Sequence, residues 1–253
     1  FGLDPERLYY TVYTTDDEAE NIWKELGIPA DRIYRFGDED NWWGPAGDEG
    51  VCGPSSEINY YQGSLADVPA VDDPVRKGVW GPNYHDDFVE LYNLVFTQFY
   101  RDIDGNDTVL PAKNIDTGMG FERMLAVLQG ESNVYETDAF RPIITQVEQM
   151  SGKEWGQDKE TDKAIRIVSE HARSASFLIG DGVIPGNSGR GYVLRRLIRR
   201  GMLFGRELGM DMPMLSSISK TVSDHMGHVY SELVGNYEFI KDVLEQEENS
   251  FSR

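Results

Sequence analysis

The chain has 253 residues, 40% of them apolar, enough to bury a sizeable core in one large or two modest domains. Its formal net charge of −20 opposes polyanionic partners unless basic residues are concentrated locally, and its single cysteine, Cys52, excludes an internal disulfide framework and a Cys-rich zinc site. No window approaches the roughly 18 uninterrupted apolar residues of a membrane span, and the first residues lack a basic-then-apolar signal pattern, so a cytoplasmic protein with no membrane partner is expected.

Residues 8–14 are β-branched and aromatic and predict a strand, after which Thr15-Asp16-Asp17-Glu18 has the pattern of a capping box and starts a helix ending near Leu26-Gly27. From Gly37 to Pro82 the chain is rich in Gly, Pro, Asp and Trp, interrupted by the strand composition of residues 57–61. Trp42 and Trp43 fall in the loop-like part, where local packing is the commoner role and pocket lining the rarer one. Residues 90–100 form a long apolar-aromatic strand, Gly105 supplies the turn, and residues 108–115 return antiparallel to deliver the chain to Asp116. Phe121, Met124, Leu125 and Leu128 then mark an amphipathic helix closed by Gly130. Beyond about residue 131 the strand signal disappears, and apolar residues recur at helical spacing over 143–150, 164–179, 192–204, 215–229 and 237–244. The expected class is α+β: an antiparallel sheet with flanking helices over residues 1–130, followed by an all-helical domain over 131–253. Phe1 in place of Met, and an end at Ser252-Arg253 inside a charged helical pattern, read as a piece cut from something longer.

The stretch 116–125, DTGMGFERML, begins with the tripeptide that carries a carboxylate in aspartic proteases. A protease needs a second such Asp at short range, and the sequence has no second Asp-Thr-Gly. Strand, Asp, Gly-x-Gly and helix instead make a binding device. The glycines let a small ligand approach the backbone, Asp116 offers a fixed anion to an ammonium group, and Arg123, off the apolar stripe, is placed to reach a phosphate. The plainer reading of Glu122 and Arg123 is a solvated helix face. His85, His171, His225 and His228 lack the spacing of a metal site, and Cys52 reads as a packed thiol.

Between Gly182 and Arg206 there is no Asp or Glu, while Arg190, Arg195, Arg196, Arg199, Arg200 and Arg206 all occur. With Leu194, Leu197 and Ile198 as the apolar stripe, the i, i+4 pairs Arg195/Arg199 and Arg196/Arg200 project away from it. Such a face needs anions, either RNA phosphates or carboxylates from elsewhere in this acidic chain. Asn187, in the preceding loop, offers an amide that can read a base edge or simply make a turn.

Four stretches carry a family resemblance: GPSSEINYY at 53–61, ELYNLVFTQF at 90–99, GMGFER at 118–123 and GNSGRGYVLRRLIRR at 186–200. GMGFER resembles the third signature motif of class II aminoacyl-tRNA synthetases, and the order of all four is similar to the alanyl-tRNA synthetases over essentially the whole chain. The resemblance implies a class II synthetase-type sheet, formation of alanyl-adenylate from alanine and ATP with Mg²⁺, and transfer to tRNA(Ala). It implies Asp116 and Gly118 at the amino-group side of alanine, Asn93 and Trp43 lining the amino-acid and adenylate pocket, and Trp42 as the competing assignment for Trp43. It further implies Glu57, Gly120 and Arg123 at ATP and its metal, with no zinc in this segment. For the tRNA acceptor stem it implies Asn187, Arg190, Arg195, Arg196, Arg199 and Arg200, with Asn187 and Arg200 nearest the G·U wobble pair by which the family knows its tRNA. No match to the family's first or second motif is found, nor to its editing and C-terminal regions, so the isolated chain is expected to be inactive. A non-catalytic RNA-binding or interaction module on the same fold is the alternative.

Overall fold

The structure is a computed structural model describing residues 1–251; Ser252 and Arg253 of the expected charged helix lie outside the described residues. It divides into two compact units, Phe1–Val134 and Tyr135–Arg253.

The first unit contains β1 (Leu8–Tyr13), α1 (Asp17–Glu25), β2 (Ile33–Phe36), α2 (Asp38–Asn41), β3 (Trp42–Trp43), β4 (Gly50–Tyr61), β5 (Phe88–Arg101), β6 (Asp107–Met119) and α3 (Phe121–Gln129). The strand order is β2-β1-β4-β5-β6, with β3 paired to β4. The sheet is mixed rather than wholly antiparallel, because α1 carries the chain across so that β2 lies parallel to β1. Asp16, not Thr15, caps α1 by accepting the Ala19 amide at 2.9 Å.

β4 begins seven residues earlier than its composition predicts, at Gly50 instead of Glu57. Gly53 and Pro54 fall where the β4–β5 register shifts, which is where a strand tolerates proline. A Cβ at Gly53 would sit 2.0 Å from the Phe96 carbonyl oxygen, so the ladder demands glycine there. The inward side of α3 is Met124 and Val127, packed with Leu91, whereas Phe121 and Leu128 of the expected stripe are exposed. The strand runs through Asp116 to Met119 and turns at Gly120, and this rotates the stripe by one position. A second cluster joins Tyr9, Tyr61 and Trp80, with Phe88 edge-on to Tyr9 at 5.0 Å. Among the described residues β6 pairs only with β5, and it is exposed over nearly its whole length.

The second unit consists of α4 (Arg141–Ser151), α5 (Lys159–Gly180), α6 (Gly189–Glu207), α7 (Leu215–Met226), the short α8 (Ser231–Gly235) and α9 (Tyr237–Phe251). Their apolar faces form one core in which Ile143, Ile165, Val168, Ala172, Ile179, Leu194, Ile198, Met202, Ile218 and Leu244 are fully buried. Asp158 starts α5 by accepting from the amides of Glu160 and Thr161. α7 has no side-chain cap of its own. Instead Glu248, in the last helix, accepts the amides of Met214 and Leu215 at 2.9 and 3.1 Å.

Candidate functional site

Across the sheet, Thr11 of β1 lies opposite Glu57 of β4, Glu57 opposite Asn93 of β5, and Asn93 opposite Gly118 of β6. Directly paired residues share a face, so the sequence has laid a hydroxyl, a carboxylate, an amide and a bare backbone in one row. The next row holds Ser55, Val95 and Asp116. Asp116 therefore stands on the same face, two residues from Gly118.

Each member of the row is held differently. Thr11 Oγ1 donates to Glu57 Oε2 at 3.2 Å and accepts from Asn41 Nδ2 at 2.8 Å, so the short α2 locks the hydroxyl toward the acid. Burial first, and then the Glu90 carboxylate, push the pKa of Glu57 up to about 7. Asn93 Oδ1 is buried and accepts no hydrogen bond, an acceptor aimed along a face with a donor still to find. Nothing lies within 4 Å of a Cβ placed at Gly118, so the backbone there is open to approach. Asp116 is exposed, its carboxylate accepting the Thr117 amide at 2.9 Å.

Arg123 is exposed and reaches back to β5, donating to Glu90 Oε2 at 2.8 Å and to the Glu90 carbonyl at 3.2 Å. Its stem lies against Gly120, where a Cβ would be 3.3 Å from Arg123 Cδ. Arg123, Glu90, Asn59 and the loop bearing Asn83 and His85 line a cavity of about 450 Å³. Sequence reading passed over Glu90 and Thr11. Glu90 was visible as the first letter of ELYN, but its importance lies in facing Arg123 and Glu57, which only the strand register reveals.

Trp42 stacks on Phe99 at 5.8 Å and meets Tyr13 at 5.3 Å, while its neighbour Trp43 is 39% exposed. Tyr13 shares a face with Thr11, so these contacts bring Trp42 to the side that carries Glu57. Among the described residues no group of three or more His, Cys, Asp or Glu could hold a metal, and no helix is long and apolar enough to cross a membrane.

In the second unit, α6 displays the arginines in three distinct states. Arg199 is spent on a carboxylate, Glu247 Oε1 at 2.7 Å. Arg195 donates to the neutral Asn187 Oδ1 in the preceding loop, and Arg200 NH1 faces His171 Nε2 at 3.0 Å. Arg196 lies over the Tyr192 ring at 5.9 Å and, like Arg190 and Arg200, is exposed. Of the two neutralising schemes, the internal one is seen at Arg199, while Arg190, Arg196 and Arg200 are exposed.

The family model described as tRNA synthetases class II (A) matches residues 1–253. The chain is 49% identical over 252 residues to the alanine-tRNA ligase of Dehalococcoides mccartyi strain 195, which covers 99% of this chain and 28% of that protein. Proteins of the same name from Petrotoga mobilis and Thermotoga maritima are each 46% identical over 251 residues, with the same 99% and 28% coverage. The chain thus spans little more than a quarter of the length of these relatives.

Proposed function

The chain belongs to the class II tRNA synthetase family, and from that premise we propose that its first unit supplies much of an alanine-activating site and its second unit an RNA-binding face. The observation that carries the first part is the row Glu57, Asn93 and Gly118 with Asp116 in the next register. In this reading Asp116 meets the ammonium of alanine, the buried Asn93 Oδ1 accepts one of its protons, and open Gly118 lets the backbone close on so small a substrate. Val95, opposite Asp116, limits the space left for a side chain.

The polar groups fit a nucleotide with its divalent ion. Glu57 and Glu90 are adjacent carboxylates suited to Mg²⁺, and Arg123 exchanges Glu90 for a phosphate. When bound, ATP supplies the phosphoryl centre that the alanine carboxylate attacks. The protein's part is electrostatic: it holds two anions in line and needs no side-chain nucleophile. Trp42 and Trp43 border the site, with Trp43 the member exposed to a ligand. Asn187, Arg190, Arg195, Arg196, Arg199 and Arg200 form the face for the tRNA(Ala) acceptor stem, Arg199 already neutralised by Glu247.

Asp116→Asn in the full-length protein keeps the shape and removes the charge. A hydrogen bond to a charged group contributes roughly 1.5–3 kcal/mol, so the KM for alanine rises by roughly one to two decades while that for ATP stays near its original value. Steady-state kinetics in both substrates decide this, and an unchanged alanine KM overturns the role of Asp116.

A further inference from the structure

His171 is fully enclosed in the second unit, on the α5 face that packs against α6, yet its two ring nitrogens are both engaged. Arginine has no acceptor and does not lose its proton, so the 3.0 Å contact with Arg200 NH1 makes His171 Nε2 an unprotonated acceptor. The ring proton consequently sits on Nδ1, which donates to Glu170 Oε2. Glu170 is itself fixed, because its Oε1 accepts from Ser174 Oγ at 2.8 Å. The result is a chain in which Arg200 donates to His171 and His171 to Glu170, a carboxylate that Ser174 holds from its other oxygen, so that one anchored carboxylate sets a tautomer and the tautomer sets a guanidinium.

Contrast with Arg199 shows what this achieves. A carboxylate partner pairs directly with the charge, as Glu247 does for Arg199, whereas a neutral imidazole fixes orientation without a direct ion pair. Arg200 is exposed, with the Phe204 ring supporting the guanidinium at 5.6 Å.

We propose that His171 is a positioning residue that holds Arg200 in the orientation in which it reads the acceptor stem, with Glu170 fixing the tautomer this requires. The proposal rests on Arg200 being an RNA contact, and its test separates the two. In the full-length protein, binding of an RNA acceptor-stem duplex carrying the G·U pair is compared with its G·C variant by fluorescence anisotropy. Arg200→Ala lowers the preference about tenfold, the scale of one base-reading contact. His171→Leu lowers it equally without changing the slope of affinity against salt, since no charge is removed. The double variant loses no more than either single one. His171→Gln, whose amide oxygen can still accept from Arg200, restores most of the preference. If Arg200→Ala leaves the preference intact, Arg200 is not an RNA contact and the proposal falls with it. If Arg200→Ala lowers the preference but His171→Leu does not, the positioning role alone is wrong. Should His171→Leu lose its helical circular dichroism, Glu170→Ala, which removes the acceptor of the Nδ1 proton, carries the same test: a reduced preference supports the relay, and full retention overturns it.

Discussion

Glu57 sits in the sheet with a folded pKa of about 7 against an ordinary 4.5, so the folded protein binds its proton more tightly than the unfolded chain. The stability this contributes is complete below about pH 4.5 and is lost as pH rises through 7. Glu57→Gln removes the penalty. It therefore raises Tm at pH 8 by the equivalent of on the order of 2–3 kcal/mol, and the gain vanishes near pH 4.5; thermal melts of the two proteins across that range check the sign. At the face proposed for RNA, Arg196 is exposed and lies over the Tyr192 ring, so Arg196→Ala is expected to weaken binding to all duplexes alike and to lower the salt slope by about one unit. A residue-scale reading of sequence singled out Asp116 and Arg123 because their neighbours in the chain define them. It did not find Glu90, whose partners Glu57 and Arg123 are 33 residues distant on either side and meet it only through the β4–β5 register and the turn into α3.

At the scale of elements, α7 depends on another helix for its first hydrogen bonds. Glu248→Leu leaves the buried amides of Met214 and Leu215 without an acceptor, at roughly 1–3 kcal/mol each, and should lower the melting temperature of the second unit sharply. Burial holds the Glu248 pKa above its ordinary value, so Glu248→Gln, which keeps an acceptor oxygen, should be far milder and relatively most favourable at high pH. Chemical denaturation of both variants distinguishes lost capping from lost charge. The long helices were legible because each buries one face of a single core and so prints a 3.6-residue period. α8 was not, since five residues are too few to show a period. The first half of β4 was hidden for a different reason: Gly53 and Pro54 are breakers by composition, and only the close carbonyl of Phe96 and the register shift explain them. β2 escaped notice because four residues with one buried side chain carry no alternation worth reading.

For the whole molecule, charge is segregated: a net −20 surrounds a stretch of α6 free of acids. The β6 edge is the other large-scale feature, thirteen residues paired on one side, with Val109 and Ile115 exposed at 73% and 66%. An unprotected strand of that length templates pairing with a second chain. The 253-residue chain in isolation is expected to self-associate with rising concentration, and Ile115→Lys to suppress this in sedimentation velocity. The Glu248 clamp on α7 has a last consequence, in the order of manufacture. Thirty-four residues separate Glu248 from the amide of Met214 that it caps. At roughly 5–20 residues per second, a ribosome delivers that carboxylate about 2–7 seconds after the amide. Until then α7 has no proper start, so the helical unit cannot lock while its chain is still being made up to α8. Nascent chains stalled before Glu248 has cleared the exit tunnel should be cut by protease within α7, and chains stalled well after it should resist.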